Sequence, residues 1–489
     1  MMLLGTSSGA GKSWLATALC RWYSDRGLRV APFKAQNMSN NARVVPGPGG
    51  AMGEIGSAQY FQALAARAEP EVRMNPLLLK PEADTRSQVV CMGQVSAELG
   101  AMPWHARSAR VWPQIAAALD ALRAENDLLV IEGAGSPAEI NLYASDIVNL
   151  RVAQHAQARC LLVTDIDRGG AFAHLYGTWA LLPEAQRALI HGFVLNKFRG
   201  DAALLAPAPQ KLQDLTGVPT VATIPMQWRH GLPEEDGLFD ERSRAAGAVH
   251  TSVAVMTCPH ISNLDEFQAL RNLPGLRLLW ARSPADLAGL GASDWVILPG
   301  SKATAADLAW LRAQGLDQAI AAHAARGGML LGLCGGLQML GEALIDSAGI
   351  DGNAPGLGLL PLVTRFAPAK TLRRTRVRFP TLQGAWAALS GVQASGYEIH
   401  HGQTVWHPAM VAGGDAAREL IPGLAWQNAA GNVLGLYLHG LLEDPAVLQA
   451  LFRCAIQVPT LESVFDGLAR VADSCFAPGV LQALIAPAA

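Results

Sequence analysis

Short apolar runs alternate with stretches of helical spacing through the first half of the chain. "MMLL" leads into a glycine-rich loop, and "KSWLATALCRWYSDRG" (12–27) then has the period of a helix closed by a glycine. "LRVAPFK", "DLLVIEGAGS", "ARCLLVTDID" and "IHGFVLNKF" read as further strands, each with a polar end. Strand, polar tip and helix in repetition predict a parallel sheet wrapped by helices. Such sheets collect ligands at the carboxyl ends of their strands. The pattern lapses over 229–250, "RHGLPEEDGLFDERSRAAGAVH", which is charged and broken by Gly and Pro and reads as a linker. A second alternation runs through "TSVAVMTCPH", "SDWVILPGSK", "GGMLLGLCGG" and "GNVLGLYLHG". The region 363–430 is predicted to hold short extended pieces and turns. The expected organisation is therefore α/β in two domains, 1–228 and 251–455, with a helical tail over 456–489.

Composition changes this picture little, but it excludes some functions. The 489 residues are half apolar and carry a formal charge of −2. A nucleic-acid or anionic-membrane surface would need a basic excess. Seven scattered cysteines without a CxxC pair or a Cys/His cluster suggest a reducing compartment rather than zinc or a disulfide frame. No membrane span is expected, because no apolar run is long enough. With no charged, apolar leader evident, a cytoplasmic enzyme is the expectation.

The loop "GTSSGAGKSW" (5–14) is close to a phosphate-binding loop. Its first glycine, Gly5, lies one residue earlier than the usual spacing, which falls on Thr6. Between a strand and a helix, the backbone around Gly9 and Gly11 can cradle phosphates. Lys12 is placed to reach the β/γ-phosphates of ATP and Ser13 a magnesium ion. The longer loop resembles that of dethiobiotin synthetase and the cobyrinate amidases, which phosphorylate a substrate carboxylate with ATP. At other strand tips, Glu132 is a candidate Mg²⁺ ligand and Asn196 a candidate for the adenine edge. "FKAQNMSNNA" (33–42) packs amides and Lys34 into one loop, which suits a substrate with many carboxylates and carboxamides. Lys34 can neutralise an acyl phosphate forming there.

"GTSSGAGKS", "FKAQNMSNNA", "EIGSAQ", "MNPLLLKP", "SQVV", "DIVNL" and "TDIDRGG" together resemble the cobyric acid synthases, glutamine-dependent amidases of cobalamin biosynthesis. The resemblance covers nearly the whole chain. It implies ATP, Mg²⁺ and a corrinoid a,c-diamide as substrate, amidated at the b, d, e and g carboxylates. It also implies that Glu54 and Glu132 share the metal with Ser13. Asp146 in "DIVNL" joins the catalytic candidates on the same rim, and Asp165 and Asp167 lie there without an assigned role.

In the second domain Cys334 stands between an apolar strand and a helix, framed by glycines at 332, 335 and 336. A nucleophile on such a sharp turn needs small neighbours. A lone cysteine would read as core, and it is the glycine frame that makes this one a nucleophile candidate. His439, at the end of "GLYLHG", is the candidate base. The N–H groups of Gly300 and Gly335 are candidates for an oxyanion hole. The constellation resembles the class I glutamine amidotransferase domain, which releases ammonia from glutamine. That class usually has a glutamate two residues after the histidine, and here the position is Leu441. Glu443 and Asp444 lie nearby, "GYEIHHG" supplies Glu398, His400 and His401, and none of these is singled out as the partner of His439. The expected function is ATP- and glutamine-dependent amidation of a corrinoid. The alternatives are the a,c-diamide synthase reaction, or a nucleotide-dependent partition protein with an inactive second domain.

Overall fold

The computed structural model describes residues 1–83, 86–228, 230–233, 249–415, 417–452 and 460–486. In the first half, six parallel strands form one sheet. Their order is Thr220–Pro225, Ile190–Phe198, Cys160–Asp165, Met2–Gly5, Leu128–Glu132, Val30–Phe33. Met2–Gly5 and Cys160–Asp165 are buried throughout because they lie inside the sheet with both faces covered, which is why they read as unbroken apolar runs. Thr220–Pro225 escaped the sequence pattern because it is an edge strand with mixed burial.

One face of this sheet is covered by the helices Trp104–Glu125, Leu150–Ala156 and Ala171–Leu181. The other is covered by Lys12–Ser24, Ser57–Ala65 and, unexpectedly, Leu461–Cys475 from the tail. That last helix buries Val464, Phe465, Leu468, Ala469 and Ala472, a stripe of helical period. Polar contacts to this helix and to the segment after it fix the pairing. Arg21 donates to Asp466 over 2.8 Å, Trp22 Nε1 donates to Asp473 over 2.6 Å, and the Tyr23 hydroxyl donates to the Leu481 carbonyl over 2.7 Å. The tail helix thus packs on the first sheet. Residues 229 and 234–248 of the expected linker, and 453–459 around the expected boundary at 455, lie outside the described residues.

The second sheet has seven strands in the order Leu276–Ala281, Thr251–Met256, Trp295–Leu298, Met329–Leu333, Val433–Leu436, Ala425–Gln427, Arg418–Ile421. The first five pair in parallel, and the last two are joined on by antiparallel pairing. The stretch expected to hold short extended pieces contains instead a long hairpin, Leu362–Arg378 paired with Gln393–Trp406. Its run "TLRRTRVR" has no clean apolar face, since part of the ribbon leans on the first half of the chain. Arg374 Nε donates to the Val44 carbonyl over 3.2 Å, and Lys370 pairs with Glu54. Among the described residues no helix is long and apolar enough to cross a membrane.

Candidate active site

At the carboxyl end of the first sheet, the glycine loop runs into the helix Lys12–Ser24. Gly11 has φ +94°, and a Cβ there would lie 2.0 Å from the Asn196 amide nitrogen. Asn196 reaches under the loop and donates to the Ala10 carbonyl over 2.9 Å. Its amide therefore braces the loop as well as lining the cleft. Lys12 folds back, with Nζ 3.1 Å from the Ser7 carbonyl and 3.2 Å from that of Gly135. A Cβ on residue 5 would sit 2.7 Å from that ammonium, so the early glycine makes room for the lysine.

Glu132, at the tip of Leu128–Glu132, is the centre of the cluster. Its Oε1 accepts from Ser13 Oγ at 2.7 Å and from Lys34 Nζ at 2.9 Å, and its Oε2 from Gln62 at 2.6 Å. Burial pushes its pKa up, but Lys34, Ser13 and Gln62 outweigh that and hold it below the ordinary carboxylate range. The paired hydroxyl and carboxylate are hard oxygen donors, and Mg²⁺ commonly takes one or two such protein ligands and completes its shell with phosphate and water. Ser13 and Glu132 thus fit that ion.

Two expected members of this site, Glu54 and Asp146, are engaged by other partners, although Asp146 also lines the cleft. Glu54, implied as a third metal ligand, is fully buried between two ammonium groups. Lys80 Nζ lies 3.0 Å from Oε2, and Lys370 holds Oε1. Both carboxylate oxygens are occupied by cations, and Glu54 is not among the residues that line the cleft with Ser13 and Glu132. Asp146, a catalytic candidate, caps the helix Leu150–Ala156. It accepts from the N–H groups of Val148, Asn149, Leu150 and Arg151 at 2.7–3.3 Å, so backbone donors engage both its oxygens. Asp165 and Asp167 pair with Lys197 and Arg199 on the neighbouring strand end. The cleft above these residues measures about 1910 Å³, against roughly 300–1,000 Å³ for a common small-molecule site. Gln36, Asn37, Met38 and Trp104 line it beside the loop, and Gln268, Arg271 and Asn272 line it from the second half of the chain.

In the second sheet, Met329–Leu333 ends on Cys334, which has φ +50° and ψ −102°. A non-glycine residue in this region is strained, and the surroundings must hold it there. A Cβ at Gly336 would lie 1.9 Å from the Leu298 carbonyl, so the turn after the cysteine is pressed against the adjacent strand. A Cβ at Gly300 would lie 2.9 Å from His439 Cε1, and one at Gly335 2.7 Å from the Ser301 nitrogen. Gly300, Gly335, Cys334 and His439 are therefore gathered at one point.

The partner of His439 is Glu266, which the sequence reading missed. Its Oε1 lies 3.2 Å from His439 Nδ1, and its Oε2 accepts from the Gly440 N–H at 3.1 Å. Burial pushes the imidazole pKa down, but the neighbouring Cys334 and Glu266, each also hydrogen-bonded to the ring, raise it to about 10. None of the five polar residues considered from sequence fills this role. Glu398 pairs with Arg373 over 2.6 Å, and His400 Nδ1 faces the Gly402 carbonyl at 2.8 Å. His401 Nδ1 faces the Ala367 carbonyl, Glu443 is bound by Arg43, and Asp444 accepts from the Ser395 N–H. Leu441 is core. The only trace of Glu266 in the sequence is an acidic pair, Asp265–Glu266, inside the apolar setting "ISNLDEFQAL".

A strand–loop–helix nucleotide cleft joined to a cysteine–histidine–glutamate site defines the class of glutamine-dependent amidating ligases. Residues 1–236 match the family described as the CobQ/CobB/MinD/ParA nucleotide binding domain. Residues 252–447 match the CobB/CobQ-like glutamine amidotransferase domain. Over its whole length the chain is similar to proteins named cobyric acid synthase. That of Paracidovorax citrulli is 77% identical, over 98% of this chain and 97% of the relative. That of Acidovorax sp. (strain JS42) is 76% identical, over 99% and 98%, and that of Polaromonas naphthalenivorans 72%, over 99% and 99%. The chain belongs to the cobyric acid synthase family of cobalamin biosynthesis.

Proposed function

We propose that the chain amidates the b, d, e and g carboxylates of adenosylcobyrinic acid a,c-diamide, with ATP and glutamine as co-substrates. The observation that carries this reading is the coexistence of the Ser13–Glu132–Lys34 cluster with the Cys334–His439–Glu266 site in one chain. At the second site, Cys334 Sγ attacks the glutamine carboxamide carbon. His439 delivers a proton to the departing ammonia, Gly300 and Gly335 face the developing oxyanion, and water then hydrolyses the thioester to glutamate. At the first site, a corrinoid carboxylate oxygen attacks the γ-phosphorus of ATP and ADP leaves. Ammonia then attacks the acyl carbon and phosphate leaves. Bound Mg²⁺ would supply charge neutralisation at the phosphates, held by Ser13 and Glu132. Lys12 and the loop around Gly9 and Gly11 hold the phosphates, Lys34 balances charge at the transferred group, and Asn196 keeps the loop in shape. A cleft larger than a nucleotide needs, rimmed by amides, supports a second bulky polar ligand. ATP and glutamine as co-substrates locate the reaction in the cytoplasm.

The intact Cys334–His439–Glu266 arrangement speaks against a partition protein with an inactive second domain. The test is mass spectrometry of the product formed from adenosylcobyrinic acid a,c-diamide, ATP, Mg²⁺ and glutamine. Amides at all of the b, d, e and g positions support the reading. A corrinoid left unchanged, or amidation only of the a and c positions of cobyrinic acid, overturns it.

A further inference from the structure

Arg43 belongs to the hairpin strand Ala42–Pro46 of the first half, yet its guanidinium is buried against the glutaminase side. Nε donates to Asp265 Oδ2 over 3.0 Å, and the two terminal nitrogens donate to Glu443 over 2.9 and 2.6 Å. Its carbon lies 5.2 Å from the Tyr397 ring centroid, within cation–π range. Each of these partners leads to His439. Asp265 precedes Glu266. Glu443 ends the turn Leu441–Glu443 that follows His439 and Gly440. Tyr397 stacks on the His439 ring at 5.4 Å and exchanges two backbone hydrogen bonds with it. One side chain from the synthetase half therefore braces His439 through three partners.

The same region touches the synthetase cleft at both ends. Gln36, Asn37 and Met38, just upstream of Arg43, line the cleft. Between them and Arg43, Asn41 Oδ1 accepts from the Leu264 N–H at 2.9 Å, and the Ala42 N–H donates to Asn263 at 3.0 Å. Downstream of Glu266, Gln268 and Arg271 line that cleft from the second half. A ligand in the cleft thus meets the chain on either side of the Arg43–Asp265 pair. Among the described residues Asp265 Oδ1 is buried with no hydrogen-bond partner, a cost that a small shift of the pair can relieve.

We propose that Arg43 is a positioning residue for the glutaminase site, and that through Asp265 and Glu443 it makes glutamine hydrolysis at Cys334 depend on occupancy of the synthetase cleft. This rests on the function proposed above. Coupling of this kind needs an element whose arrangement both sites bias, and the segment 263–271 is that element.

The experiment measures glutamate release by the full chain with and without ATP plus corrinoid a,c-diamide, and amidation from ammonium salts, for the wild type, Arg43→Lys and Arg43→Met. The wild type is expected to release glutamate faster when the cleft is filled, by about 5- to 150-fold. In Arg43→Met this ratio falls towards one, through kcat rather than KM for glutamine, while ammonia-supported amidation stays within about twofold of wild type. Arg43→Lys, which keeps the charge but not the fork, recovers part of the ratio. If Arg43→Met does not fold, Asp265→Asn carries the same expectation. A wild type that amidates but shows no stimulation, or an Arg43→Met or Asp265→Asn chain with the wild-type ratio, overturns the proposal. A wild type that makes no amide from either nitrogen source overturns the proposed function instead.

Discussion

Glu266 and His439 are 173 residues apart in the chain and 3.2 Å apart at their polar atoms. The second oxygen of the same carboxylate takes the N–H of Gly440, so Glu266 fixes both the ring and the backbone that carries it. This fork does the orienting work otherwise expected of a glutamate two residues after the histidine, where this chain has a core leucine.

Glu266→Gln keeps the shape of the site but removes the charge. Glutamine-dependent kcat is expected to fall by roughly 10²-fold or more, as for other bases that lose their orienting carboxylate. The pH profile gives a second reading. His439 is held cationic by Cys334 and Glu266, with its pKa raised to about 10. The stability this charge contributes is fully present below the ordinary histidine range and is lost as pH rises through about 10. Without the Glu266 charge the imidazole loses its proton at lower pH, so the alkaline limb of the glutaminase profile moves down. An unmoved limb, measured between neutral pH and the alkaline end, removes Glu266 from the site.

Cys334→Ala is expected to abolish glutamine-supported amidation, on the order of 10³-fold or more. Amidation from ammonium salts remains and rises with pH as free ammonia becomes available. Near wild-type use of glutamine by this variant would return Cys334 to the role of a core cysteine.

Lys12→Ala is expected to lose amidation from both nitrogen sources, because both require the acyl phosphate. Steady-state rates with glutamine and with ammonium salts check this. Substantial ammonia-driven turnover in the variant would show that the glycine loop does not hold the nucleotide.

Glu132→Gln is expected to stop turnover or raise the Mg²⁺ requirement, read from a magnesium titration. It also leaves the Lys34 ammonium buried without its carboxylate, and breaking such a pair costs about 3–5 kcal/mol. A melting curve beside the titration separates the two effects. Unchanged metal dependence in a folded variant takes Glu132 off the ligand set.

Phe465→Ala tests the tail. Phe465 is fully buried on the helix Leu461–Cys475, against the helix that starts at Lys12. Truncation is expected to cost about 3–5 kcal/mol and to lower the melting temperature. An unchanged melting curve would mean that the tail contributes little to the first half of the chain.

What the sequence by itself determined was local. The glycine loop, the elbow around Cys334, the polar strand tips and most strands of both sheets were legible, because each depends on residues close together in the chain. Steric demand, apolar period and a missing Cβ leave a mark within a few positions. The tertiary structure alone decided which polar groups meet. Glu266 reached His439, Arg43 crossed to Asp265, the tail helix closed on Lys12–Ser24, and Glu54 was taken by Lys80 and Lys370. A buried charge must find an opposite charge or a row of donors, and that partner is chosen by how the two sheets pack. Spacing along the chain carries no record of it.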